Sequence, residues 1–240
     1  MTEQTPAGVG TLDTVVLDVP DVAAEAGFWK ALTGGSVSSE SDDWITVVTP
    51  DRWGIGFQRA PDLVPPQWPG QDHPQQAHLD LYVPDLAAAS ARAVELGATV
   101  LRENEQWVTL ADPAGHPFDV CLKEGADGVT VMGATFDCPD ASALARFWSG
   151  VVGAPVTYDA DGVAMLGGPR PLLFQSVEGY TAPRWPDPAF PQQVHLDIEV
   201  PDLNAGEEAV LALGATRLPG GEDGFRVFAD PVGHPFCLVR

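Results

Sequence analysis

The sequence predicts an α+β fold of four βαβββ modules, grouped into two tandem domains with curled mixed sheets. Three observations predict it. The chain repeats itself, each half runs through a strand–helix–strand rhythm twice, and its best-marked strand has one apolar face and one ionisable face. Periods this long mean duplicated structural units. QQAHLDLYVPDL at 75–86 returns as QQVHLDIEVPDL at 192–203, with nine of twelve positions identical. ADPAGHPF at 111–118 returns as ADPVGHPF at 229–236, and LDVPD…FW at 17–29 returns as FDCPD…FW at 136–148. The seam falls in the polar, Gly-containing stretch 123–128. This places one domain at 10–123, a linker at about 124–129 and the other domain at 130–240.

Within a half, TVVLDV (14–19) is β-branched and reads as a strand. Asp21 follows as a helix N-cap, Val22, Ala26, Phe28 and Trp29 share one helical face, and Gly34 stops the helix. WITVVT (44–49) and GIGFQ (54–58) read as short strands. After a Pro-rich loop at 61–76, HLDLYV (78–83) is a strand, Asp85 caps a second helix ending at Gly97, and strands follow near 99–103, 106–111 and 117–122. Alternation in 78–83 sends Leu79, Leu81 and Val83 one way and His78, Asp80 and Tyr82 the other. The repeat does the same with His195, Asp197 and Glu199. In a curled sheet the polar face lines a cavity.

Composition narrows the function. The 240 residues are 45% hydrophobic and 19% charged, an ordinary globular mixture. Twelve Lys+Arg against 34 Asp+Glu leave a net charge of −22, which opposes nucleic-acid binding and docking on anionic lipid. A cationic ligand is compatible with it. Cys121, Cys138 and Cys237 are an odd count without C-x-x-C spacing, so reduced thiols of a cytoplasmic protein are expected. The N-terminal MTEQTPAGVG has neither the basic region nor the apolar core of a signal peptide, and no apolar run is long enough to span a membrane.

The four modules, the HLDL-type strand and the D-P-x-G-H-P-F turn resemble the vicinal oxygen chelate superfamily, which includes glyoxalase I, extradiol dioxygenases and bleomycin-resistance proteins. In metal-using members, two modules curl around a divalent ion held by side chains of their first and last strands. Carried over by position, the resemblance implies Thr14, Gln58, His78 and Asp119 in the first half, and Gly133, Gln175, His195 and Cys237 in the second. Gln58, His78 and Asp119 would be the metal ligands, and the ion nickel, zinc, manganese or iron. Thr14 and Gly133 depart from the pattern, and a hard ion in a catalytic site takes about three protein ligands. If pairing crosses between the halves, Gln58 faces His195 and not His78.

Two functions compete, and a third reading makes the chain a duplicated scaffold whose first half binds while the second only stabilises it. One is a metal-free binder of a small organic molecule, of the sequestration or resistance type. Its ligand would be met by Trp68 and Trp185 on Pro-stiffened loops and by His78, Tyr82, His195 and Asp197 on the polar strand faces. The other is a metal-dependent lyase or isomerase of glyoxalase type, with His78 as a ligand and Asp80 or Asp119 as the base. His78–Asp80 and His195–Asp197 also read as packing pairs. Asp18 and Asp137 are expected to serve helix entry, His116 and His234 to sit in exposed turns, and Trp29 and Trp148 to be core. Trp44, Trp53 and Trp107, without counterparts in the second half, make the first half's cavity the more aromatic. The chain is expected to be a monomer or homodimer.

Overall fold

A computed structural model describes residues 7–187, 190, 192–221 and 224–240; the stretch 1–6 of the signal-peptide reading lies outside them. The first module is β1 (Thr11–Val19), α1 (Val22–Thr33), β2 (Ser36–Glu40), β3 (Trp44–Val48) and β4 (Gly54–Arg59). The second is β5 (Ala77–Val83), α2 (Leu86–Leu96), β6 (Thr99–Glu103), β7 (Trp107–Ala111) and β8 (Pro117–Leu122). The third is β9 (Thr130–Cys138), α3 (Ala141–Val152), β10 (Val156–Ala160), β11 (Val163–Leu166) and β12 (Leu172–Ser176). The fourth is β13 (Val194–Glu199), α4 (Leu203–Leu213), β14 (Thr216–Arg217), β15 (Phe225–Ala229) and β16 (Pro235–Val239). Four βαβββ modules are therefore present, as the sequence predicts. No described helix is long and apolar enough to cross a membrane.

The helices begin and end where their caps dictate. The Asp21, Asp85, Asp140 and Asp202 carboxylates each accept from backbone N–H groups of the first turn. Such a cap contributes about 1 kcal/mol. Gly34, Gly97, Gly153 and Gly214 end the helices with φ between 65° and 118°, a conformation a Cβ disfavours. β2, SVSSE, holds one apolar residue among serines, so no hydrophobic pattern marks it in the sequence.

Each sheet takes one module from each sequence half. One eight-stranded sheet runs β14-β15-β16-β13-β1-β4-β3-β2, joining the fourth module to the first, and the other runs β10-β11-β12-β9-β5-β8-β7-β6, joining the third to the second. The seams are antiparallel: Val16 faces His195 across β1–β13, and His78 faces Thr135 across β5–β9. The modules join through their first strands, whose edges would otherwise leave backbone N–H and C=O groups unpaired.

The helices weld the sheets into one core. Phe28 and Trp29 on α1 reach Phe118 of the other sheet, with ring centroids 5.9 and 5.2 Å away. Phe147 and Trp148 on α3 reach Phe236 in the same way, at 6.2 and 5.2 Å. Both tryptophans are buried, as expected, and their indole N–H groups donate to Asp112 and Asp230. Gln76 and Gln193 lock the two halves reciprocally, each backbone N–H donating to the other's side-chain oxygen at 3.1 and 3.0 Å. Among the described residues the three cysteines are free; Cys138 and Cys237 are buried and Cys121 half-buried.

Two expectations are corrected here. His116 and His234 are not exposed but only 2% and 1% accessible. The turns fold inward: His116 Nε2 bonds the Asp18 carbonyl at 2.8 Å, and His234 Nδ1 bonds Asp230 at 2.9 Å. Asp18 and Asp137 do not serve helix entry, because Asp21 and Asp140 do. Their carboxylates accept instead from glutamine amides at the sheet seams.

Candidate functional site

The β5–β9 seam builds the fuller site. Strand alternation places His78 and Asp80 on the polar face of β5, and the parallel register with β8 sets Asp119 beside Asp80. Antiparallel β9 supplies Thr135 and Asp137, and β12 supplies Gln175 opposite Asp137. A cavity of about 240 Å³ opens over this face, rimmed by Trp68, Trp107 and Arg102 and floored by His78, Asp119 and Gln175. The Arg102 guanidinium stacks 4.6 Å from the Trp68 ring centre.

His78 Nε2 lies 3.6 Å from Asp80 Oδ1 and 4.0 Å from Asp119 Oδ2. On the other side of the ring, Gln75 Nε2 lies 3.2 Å from Nδ1 and 3.2 and 3.3 Å from the two Asp137 oxygens. The Gln175 amide also donates to Asp137, at 2.6 Å. Thr135 donates its hydroxyl to Asp80. Burial pulls the His78 pKa down, but Asp80, Asp119 and Asp137 outweigh it and raise it to about 9. Burial raises Asp119 and Asp137 above the usual carboxylate range, partly countered by His78 in both cases. Asp119 Oδ1 is buried without a hydrogen-bond partner.

The β1–β13 seam repeats the plan with different contents. His195 Nε2 lies 3.5 Å from Asp197 Oδ1, and Gln192 Nε2 bridges His195 Nδ1 at 2.9 Å and Asp18 at 3.1 Å. Burial lowers the His195 pKa, but Asp197 and Cys237 outweigh it and raise it to about 10. A cavity of about 330 Å³ beside Asp197 is lined by Thr14, Trp44, Arg52 and Arg170. Arg170 spans the modules, donating to the Leu12, Asp13 and Arg52 carbonyls.

The crossed pairing sorts the candidate residues. His78, Asp80 and Asp119 come together on one sheet with Trp68 of the β4–β5 loop beside them, and His195 and Asp197 on the other. Gln58 is on β4, next to β1 in the β13-containing sheet, so it does not join His78 and Asp119; Gln175 stands in that position. Tyr82 continues the polar face of β5, its ring capped by the Lys123 ammonium at 4.3 Å. Trp185 sits with its ring edge beside Gly220. The unmatched tryptophans do not make one aromatic cavity: Trp107 lines one site, Trp44 the other, and Trp53 is in the core. Gln75, Gln192, Asp137 and Arg102 were not among the candidates. The repeated QQ dipeptide at 75–76 and 192–193 was the available signal.

Two sets of side chains could hold a metal. His78, Asp80 and Asp119 offer donor atoms within 4.8 Å of one another, as do His195, Asp197 and Cys237. A ligating imidazole needs a lone pair toward the ion and a proton on its other nitrogen, directed at an acceptor. Here the amide nitrogens of Gln75 and Gln192 lie 3.2 and 2.9 Å from Nδ1 of His78 and His195, and the tautomer of each ring decides which partner donates. The fourth position adds no ligand: a Cβ on Gly133 would lie 2.9 Å from the Pro171 carbonyl oxygen and inside the Leu173 side chain.

A profile of the glyoxalase-like domain matches residues 14–121 and again 133–239. The chain belongs to that family and is a two-domain member of the vicinal oxygen chelate superfamily. Among solved structures it is similar to glyoxalase I from Zea mays, at 14% identity and a TM-score of 0.66 over 95% of this chain and 92% of that one. A putative dioxygenase from Bacillus subtilis is similar at 12% identity and a TM-score of 0.63, covering 98% of this chain and 86% of that one. No curated protein sequence matches. At these identities the likeness carries the fold and not an activity.

Proposed function

We propose that the protein binds a small organic molecule in the cavity over the β5–β9 seam without a resident metal. The observation that carries this reading is the cavity of about 240 Å³ rimmed by Trp68 and Trp107 over His78 and Asp119, with no room at Gly133 for a fourth ligand side chain. His78 Nε2 itself lies 3.6 and 4.0 Å from two carboxylates. Asp119 Oδ1 asks for a donor, so the ligand carries a hydroxyl or N–H group there. Trp68 and Trp107 at the rim suit a planar, aromatic body. The thiol of Cys121, pushed up to about 12 by burial with help from Asp80 and Asp119, is not a nucleophile here.

The three clustered donor atoms favour a second reading, a divalent-metal-dependent lyase or isomerase using His78 and Asp119. It requires a lone pair on His78 Nε2. Metal analysis after purification without chelator separates the two, combined with tryptophan-fluorescence titration using phenols and aromatic amines. Saturable quenching unchanged by chelator, and weakened at least tenfold in Asp119→Asn, supports the binder. One tightly held equivalent of metal, lost in His78→Ala and kept in His195→Ala, overturns it.

A further inference from the structure

The internal repeat supplies a reference for a groove outside both sheet cavities. In the fourth module, α4 is pinned to its hairpin by a charged cluster. Glu207 receives Arg226 from β15, which also donates to the Leu203 carbonyl at 3.1 Å, and Arg217 from β14 approaches it at 3.8 Å. The repeat alignment puts Ser90, Val100 and Val108 of the second module at these three positions. The sheet register agrees: Val108 pairs with Val120 as Arg226 pairs with Leu238, and Val100 with Leu110 as Arg217 with Phe228.

Loss of the cluster leaves space. A groove of about 490 Å³ lies between α2 and the β6–β7 hairpin, lined by Ser90, Val94, Val100, Asn104 and Val108, with Glu103 contributing a carboxylate. That volume is within the range of small-molecule sites. Val94 and Val100 are 47% and 39% exposed, whereas the Ser90 hydroxyl and the Asn104 amide nitrogen are buried with no partner. A buried amide nitrogen can only donate, and leaving it unpaired is costly.

We propose that this groove is a second binding site, for a neutral, mainly apolar molecule bearing a carbonyl-type oxygen. The valines and alanines take the apolar body. The Asn104 N–H and Ser90 O–H groups take the oxygen. Glu103 and the net charge of −22 repel an anion. An ammonium or guanidinium head would leave Asn104 unpaired.

The test is methyl NMR of the full chain titrated with 2-heptanone, and separately with heptanoate and heptylamine. Saturable shifts at the methyls of Val94, Val100 and Val108 are expected with the ketone only. Asn104→Ala should weaken them roughly fivefold to tenfold, the loss of one buried hydrogen bond. The triple variant Ser90→Glu, Val100→Arg, Val108→Arg rebuilds the charged cluster and should abolish them. Val94→Trp fills the groove from an exposed helix position that folding tolerates and should do the same. No saturable shift in the native chain overturns the proposal. So do shifts that survive both filled variants, shifts centred on the β5–β9 cavity, or equal binding of all three probes.

Discussion

Glu25→Gln should stabilise the protein, and by more as the pH rises. Glu25 sits in the first turn of α1 and is 2% exposed. Its Oε1 has no partner, and its carboxyl adjoins that of Asp112, also buried. Burial first, and the Asp112 charge second, raise the Glu25 pKa from 4.5 to about 9. The folded state therefore holds a proton that the unfolded chain releases above 4.5. A raised folded-state pKa means full stability below pH 4.5 and a loss that grows until about pH 9. At pH 7 the gap from 4.5, at roughly 1.4 kcal/mol per pH unit, is a loss of about 3 kcal/mol. Glutamine keeps the shape and a donor toward Asp112 but does not titrate. Urea unfolding of both chains at pH 5, 7 and 8.5 reads the difference. It should be under about 1 kcal/mol at pH 5, about 3 kcal/mol at pH 7 and larger at 8.5, or roughly 6–12 °C in Tm at neutral pH. A difference independent of pH would refute the reasoning, because packing alone does not titrate. The internal repeat has already made a related replacement: Leu144 occupies the equivalent place, 1% exposed.

Three further outcomes are expected. Asp230→Asn should cost roughly 3 kcal/mol, since this buried carboxylate accepts from Trp148, His234 and the Val232 backbone. Despite burial, His234 and these donors hold its pKa below 3.8, so the native contribution is present at neutral pH and fades in acid. A cost that does not shrink in acid unfolding would contradict this. Gly56→Leu should cost about 1–3 kcal/mol, because a Cβ there lies 3.0 Å from Thr14 Cγ2 and from Trp44. Adding Thr14→Gly, which recreates the Gly133–Leu173 pair of the other sheet, should recover part of the loss; strict additivity in the double-mutant cycle would sink the idea. Gln75→Leu should weaken phenol binding, because it removes the amide that contacts both His78 Nδ1 and the Asp137 carboxylate; unchanged fluorescence titrations would show that Gln75 does not position the ring.

Much of the fold is legible because its signals are local. The Asp caps, the Gly stops and the alternation of 78–83 each depend on neighbours in the chain, and duplication shows every one of them twice. β2 escapes because SVSSE holds one apolar residue among serines, whereas the equally exposed β6, TVLRE, carries β-branched and apolar residues. The site is half legible. His78, Asp80 and Asp119 follow from strand alternation and family position, but Gln75 and Asp137 belong to an amide–carboxylate relay between different modules. No periodicity reports such a contact.

The sequence by itself determined the modules, their polar faces and the family, since those are properties of short segments and of a repeat. Only the tertiary structure decided which modules share a sheet. Strands with similar edges can pair within a half or across halves, and the choice rests on packing spread over the whole core. The crossed pairing sends Gln58 to His195's sheet and brings Gln175 to His78. It also sets a glutamine amide nitrogen behind each imidazole, 3.2 Å from Nδ1 of His78 and 2.9 Å from Nδ1 of His195.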